Sequence, residues 1–91
     1  MEATDIPGLP RGVRLHFDKI RATWVLLAPG RAVTLDQIGH AILSEIDGTT
    51  DFGRIVATLA EKYSAPEAQI AGDAGEYIRG LADRRILDIH E

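Results

Sequence analysis

Cysteine is absent from this 91-residue chain, which excludes disulfides, zinc thiolate sites and thiol catalysis and leaves packing as the source of stability. Aromatic residues are scarce too, at 5% with one tryptophan, so the core has to be built mainly from aliphatic side chains. No apolar run approaches the roughly 20 residues that span a bilayer. The acidic start, interrupted by Pro7 and Pro10, lacks the basic-then-apolar order of a secretory signal. Phosphate loops, dinucleotide fingerprints and nucleophile elbows are missing as well. These absences point to a soluble cytoplasmic protein with no membrane contact and no cofactor, and they leave little for an enzyme to work with.

What remains is 45% hydrophobic residues and a net charge of −4, enough for one small core and one domain. Charge is unevenly placed. Through Val33 the chain carries five basic residues (Arg11, Arg14, Lys19, Arg21, Arg31) against Glu2, Asp5 and Asp18, a balance of +2, so the remainder holds −6. The three histidines, His16, His40 and His90, fall on different segments, and none has a second His or a carboxylate at a metal-ligand spacing. His16 and His40 read as polar-face residues.

The first ten residues read as a flexible tail or linker, and residues 11–91 as a single domain. Val13, Leu15 and Phe17 alternate with Arg14 and His16, a strand pattern. A polar turn follows, then Thr23 to Ala28, which together predict a β-hairpin. Trp24 on that second strand is expected to pack in the core. Pro29-Gly30 turns the chain into Arg31-Ala32-Val33, a short third strand at a sheet edge.

Thr34 and Gln37 form a capping-box pattern, with Leu35, Ile38, Ile42 and Ile46 as the buried face of a first helix and Gly48 as its stop. Asp47 belongs to that helix stop and not to a catalytic site. A second helix is capped by Thr50 or Asp51 and buries Phe52, Ile55, Val56, Leu59, Ala60 and Tyr63. Ser64-Ala65-Pro66-Glu67 is a further capping-box pattern that opens a third helix, with Ile70, Ala74, Tyr77, Ile78 and Leu81 on one face. Gly72, Gly75 and Gly80 weaken this helix by about 3 kcal/mol at roughly 1 kcal/mol each, and we expect at least one of them to clear space for a ligand. Ile86, Leu87 and Ile89 end the chain as a short strand or apolar tail.

The resulting fold class is α+β: an N-terminal three-stranded antiparallel sheet followed by a three-helix bundle, in a winged helix-turn-helix-like arrangement. That arrangement raises two alternatives, winged-helix DNA binding or another protein-interaction role, and the first can be weighed from the charges. The charges oppose it, because Glu67, Asp73, Glu76 and Asp83 line the would-be recognition helix while Arg79, Arg84 and Arg85 come late in it.

Four segments, Leu9 to Leu15, Trp24 to Pro29, Ala41 to Leu43 with Asp47-Gly48, and Leu81 to Leu87, together resemble the family of pyrroloquinoline quinone (PQQ) biosynthesis protein D, PqqD. The order and spacing of these segments carry the resemblance over nearly the whole chain after the tail. It implies a non-enzymatic peptide chaperone, the founding type of peptide recognition element. Such a protein binds the ribosomal precursor peptide PqqA and presents it to the radical S-adenosylmethionine enzyme PqqE, and in some bacteria it is fused to another biosynthetic enzyme. The peptide would then add a strand to the sheet edge and lie between that edge and the third helix.

The residues support such a role on their own terms. Arg31, Ala32 and Val33 offer an edge backbone for strand addition, and Tyr77, Ile78 and Leu81 offer apolar pockets beside it. Arg84 and Arg85 face either solvent or acidic groups of a partner, and Asp73 completes the candidate peptide-binding set. A monomer is expected, with dimerisation through the open edge as the alternative.

Overall fold

The computed structural model describes residues 1–90. Its elements run β1 (Ile6–Gly8), β2 (Arg14–Asp18), β3 (Thr23–Ala28), β4 (Arg31–Thr34), α1 (Gln37–Ser44), α2 (Phe52–Tyr63), α3 (Glu67–Asp83) and β5 (Asp88–His90). The antiparallel sheet has the order β2-β3-β4, which puts Thr23–Ala28 in the centre and the Arg31 strand at an edge. Its β2-β3 turn is organised by Asp18, whose Oδ1 accepts from the backbone N–H groups of Ile20 and Arg21 at 3.0 and 3.2 Å. Between β3 and β4 the chain reverses over Pro29 and Gly30, where Gly30 takes φ +76°, a conformation that favours glycine.

Sheet and helices share one core, in which Leu26, Leu43, Ile55, Ile78 and Ile86 are fully buried. The buried stripe of α2 is as expected from Phe52 to Ala60, whereas Tyr63, one turn later, is exposed. Trp24 also departs from expectation. Instead of packing in the core it is 36% exposed, stacked on His40 with ring centroids 4.4 Å apart and edge-on to Phe17 at 5.4 Å. It lies at the start of β3, two residues before the fully buried Leu26, with the His40 ring of α1 stacked over it.

Two of the helix caps differ from the sequence reading. Thr34 remains in β4, because the chain stays paired one residue further, with the Leu35 N–H donating to the Trp24 carbonyl at 2.9 Å. Asp36 is therefore the first residue free to cap, and its Oδ1 accepts from the Gly39 N–H at 2.7 Å. Ser64 does not open α3. It ends α2 in the left-handed conformation, φ +51°, so its side chain is not placed for a capping box, and α3 begins after Pro66 without a side-chain cap.

The first helix also stops earlier than Gly48 implied, at Ser44. Gly48 instead lies, at φ +82°, within a loop held by Asp47, whose carboxylate accepts from the backbone N–H groups of Thr49 and Thr50 and from both hydroxyls. These four donors hold the Asp47 carboxyl well below the usual carboxylate range, the Thr49 backbone contributing most. Ile38 is 66% exposed even though Leu35, Ile42 and Ile46 on the same row are buried.

The first ten residues, expected to lie outside the fold, carry β1, which pairs antiparallel with β5 in a second, two-stranded ribbon. Pro7 is fully buried there and Asp5 is buried. The ribbon joins the two ends of the chain.

Candidate functional site

The open edge of the sheet can be read residue by residue. In an antiparallel ladder, alternate residues point their N–H and C=O groups toward the partner strand and away from it. β4 pairs with β3 in the register Ala28↔Arg31, Leu26↔Val33, and the Leu35 N–H bonds the Trp24 carbonyl. Arg31, Val33 and Leu35 therefore direct their backbone groups inward to β3, while Ala32 and Thr34 direct theirs to the open edge. Among the described residues β4 has no second partner strand. Of the three edge residues read from the sequence, Ala32 alone offers its backbone outward; Thr34 is the second such residue and was missed.

Beside this edge lies a groove of about 350 Å³ lined by Val33, Thr34, Leu35, Asp36, Tyr77, Leu81 and Arg84. Val33 and Leu81 supply apolar surface, and Asp36 and Arg84 bring opposite charges to the lining. Tyr77 is half-buried among them. Burial pushes its hydroxyl pKa up, the Asp36 carboxylate adds to that, and the Arg84 guanidinium opposes it, so the phenol stays a neutral donor. At the Tyr77 ring, the first turn of α1 passes close by at Gly39, where an added Cβ would lie 2.5 Å from the hydroxyl oxygen. Gly39 thus makes room for Tyr77.

The groove unites four of the expected site residues, Val33, Tyr77, Leu81 and Arg84, with Arg31 and Ala32 exposed on the adjoining strand. Three others fall elsewhere. Ile78 is 0% exposed; one residue along a helix is a turn of about 100°, which carries it from the groove into the core. Asp73, one turn before Tyr77, lines a different groove between the helices. Arg85 sits past the end of α3 at φ +60°, in the turn where the Ile86 N–H donates back to the Leu81 carbonyl at 3.0 Å, and it is not part of the lining.

None of Gly72, Gly75 and Gly80 clears this groove. Gly72 and Gly80 face open space, and a Cβ on Gly75 would meet Phe52 Cζ of α2 at 3.3 Å. The clearing glycine is Gly39. The sequence signal for it was present in the Asp36–Gly39 spacing of an N-cap, but only the fold brings Tyr77 against it.

The site presents open backbone groups on β4 and a groove of apolar and charged side chains. Among the described residues no three His, Cys, Asp or Glu side chains are grouped to hold a metal ion. Ser44 and His40 come within 3.3 Å side chain to side chain, but the Ser44 hydroxyl donates to the His40 carbonyl at 2.6 Å, and the imidazole is stacked on Trp24. The hydroxyl proton is thus directed away from the ring that would have to accept it. No helix among the described residues is long and apolar enough to cross a membrane.

Comparison with known proteins gives a consistent result. The family model for coenzyme PQQ synthesis protein D (PqqD) matches residues 23–87. A PqqA binding protein of Rhizobium meliloti is 43% identical over 98% of this chain and 91% of its own length. The bifunctional coenzyme PQQ synthesis protein C/D of Methylorubrum extorquens is 42% identical over 93% of this chain, which corresponds to 23% of that longer protein. Among solved structures, the PqqD truncation of Methylobacterium extorquens PqqCD superposes with a TM-score of 0.78 at 40% identity, covering 96% of this chain and 93% of that one. That protein is described as a functional, stand-alone recognition element for ribosomally synthesized and post-translationally modified peptides. PqqD from Xanthomonas campestris gives a TM-score of 0.61 at 40% identity, covering 89% and 90% of the two chains.

Proposed function

We propose, from the premise that this chain belongs to the PqqD family, that it binds the precursor peptide PqqA for PQQ biosynthesis as an added strand on β4. The observation that carries this reading is the open edge at Ala32 and Thr34 beside the groove lined by Tyr77, Leu81 and Arg84. Each of the two residues offers one N–H and one C=O to an incoming backbone, and each hydrogen bond formed contributes about 0.5–1.5 kcal/mol net. Backbone pairing supplies affinity without regard to sequence. Selectivity falls to the groove, where an apolar side chain packs on Leu81 and the Tyr77 ring and an acidic group faces Arg84. The protein works as a chaperone in the cytoplasm, where the peptide is made, and hands it unchanged to the radical S-adenosylmethionine enzyme PqqE.

The test is an NMR titration of the labelled protein with PqqA peptide, paired with calorimetry on Ala32→Pro. Proline on an edge strand removes an outward donor without breaking an internal bond. Peptide-induced shifts should concentrate on Ala32, Thr34, Tyr77, Leu81 and Arg84, and the folded Ala32→Pro protein should bind at least several-fold more weakly. Shifts confined to β2 or α2, with unchanged affinity in the variant, would sink the edge-addition reading.

A further inference from the structure

We propose that the bound peptide has a second subsite, the groove between α1, α2 and α3, and that it enters it by continuing along α3 past Tyr77. This rests on the strand-addition reading above. The groove has a volume of about 400 Å³, within the range of pockets that enclose organic groups. Its apolar lining includes Ala41, Ile42, Leu59, Ile70 and Ala74. Two large apolar side chains flank it in the open, Ile38 at 66% and Tyr63 at 54% exposure. Both side chains line the groove, so it presents apolar surface to solvent that an apolar segment can cover.

Continuity with the β4 groove identifies the occupant. Ile70, Ala74, Tyr77, Leu81 and Arg84 recur at three-to-four residue intervals, so they form one row along α3. Ile70 and Ala74 line the helical groove, and Tyr77, Leu81 and Arg84 line the edge groove. The adjacent residues Asp36 and Gln37 divide the same way, Asp36 in the edge groove and Gln37 in the helical one. A peptide leaving the edge at Thr34 has only the start of α1 to pass before it reaches Ile38.

Charge narrows the occupant further. Asp73 is the charged residue of the helical groove's lining, whereas Arg84 and Asp36 belong to the edge groove. The second segment is therefore aliphatic and free of carboxylates, with an amide or a cation opposite Asp73.

The experiment compares full-length PqqA peptide with versions shortened from either end, down to the stretch that NMR maps onto β4, against wild-type protein and the variants Ile38→Asp and Tyr63→Ser. Both substitutions lie at exposed positions, and an acidic residue in the first turn of α1 suits the helix dipole, so thermal melts should match wild type. Removing an aliphatic contact of this size corresponds to about a tenfold change in affinity. We expect the variants to bind the full peptide about tenfold more weakly and the β4 stretch as well as wild type does. Equal affinity of wild-type protein for long and short peptides would overturn the second subsite, as would variants that bind the full peptide normally. Variants that lose only the complex with PqqE would assign the groove to the enzyme and overturn it too. In every case Ala32→Pro separately reports whether strand addition itself holds.

Discussion

At the level of single residues, the candidate site depends on a close approach that only glycine permits. A Cβ on Gly39 would lie 2.5 Å from the Tyr77 hydroxyl, 3.0 Å from its Cζ and 3.2 Å from Asp36 Oδ1, the atom that caps α1. Gly39→Ala must therefore move the Tyr77 side chain, while alanine in a helix is favoured over glycine by about 1 kcal/mol. Peptide affinity should fall several-fold in calorimetry without a matching loss of melting temperature; a variant that binds as wild type would remove Tyr77 from the recognition surface. The arginines separate in the same way. Arg84 lines the groove and Arg85 does not, so Arg84→Glu should weaken peptide binding by on the order of 1 kcal/mol or less, an effect that shrinks with salt, and Arg85→Glu should leave it unchanged. Equal effects from both would indicate general attraction and not a groove contact. Residue types alone do not reveal these distinctions. Tyr77, Ile78, Arg84 and Arg85 all read as site residues, and only the helix's rotation into the core and its left-handed end at Arg85 sort them.

At the level of elements, period and turn chemistry made much of the architecture legible. The strand at Thr23–Ala28, the edge position of β4, an α2 cap at Thr50 or Asp51 and the α3 face follow from alternation, Pro-Gly and three-to-four spacing, whereas the central place of that strand and the choice of Asp51 are settled only by the fold. Capping boxes misled twice, because a box is a local pattern and the competing structure was not local. Thr34 was claimed by the ladder with β3, and Ser64 by the left-handed end of α2. The α3 glycines are a similar case. Gly72 and Gly80 have nothing within 4 Å of an added Cβ and no positive φ, so alanine at either should stabilise the protein by about 0.4–1 kcal/mol with peptide binding intact. Gly75 lies against Phe52 Cζ at 3.3 Å, and Phe52 is buried on α2, so Gly75→Ala should gain less or lose stability by forcing the two helices apart. Denaturant melts of the three variants check this; a Gly75→Ala protein as stabilised as the other two would show that the α2-α3 contact has slack.

At the level of the whole molecule, the feature that sequence reading missed is the closure of the chain on itself, since the β1-β5 pairing joins Ile6 to His90 and no local pattern records a contact across the full length. Its consequence reaches α2. A helix leaves its first backbone N–H groups without internal partners; here the Phe52 N–H donates to the Asp5 carbonyl at 2.7 Å and the Gly53 N–H to the Ala3 carbonyl at 2.8 Å. The N-terminal segment thus acts as a second cap on α2, alongside Asp51, and anchors there through Pro7, which is fully buried. Removing residues 1–8 would withdraw both acceptors, at about 1 kcal/mol each, together with the Pro7 packing and the ribbon. A loss of a few kcal/mol is a sizeable part of the roughly 5–15 kcal/mol that holds a domain folded. The peptide groove, by contrast, is lined by residues between Val33 and Arg84, and none of the first eight residues is among them. The truncated protein should therefore melt well below the full chain yet bind PqqA peptide with near wild-type affinity at a temperature where it is still folded. A melting temperature unchanged by truncation would show that the terminal ribbon adds nothing to stability, and a loss of affinity in the folded truncation would tie the N-terminal segment to the groove after all.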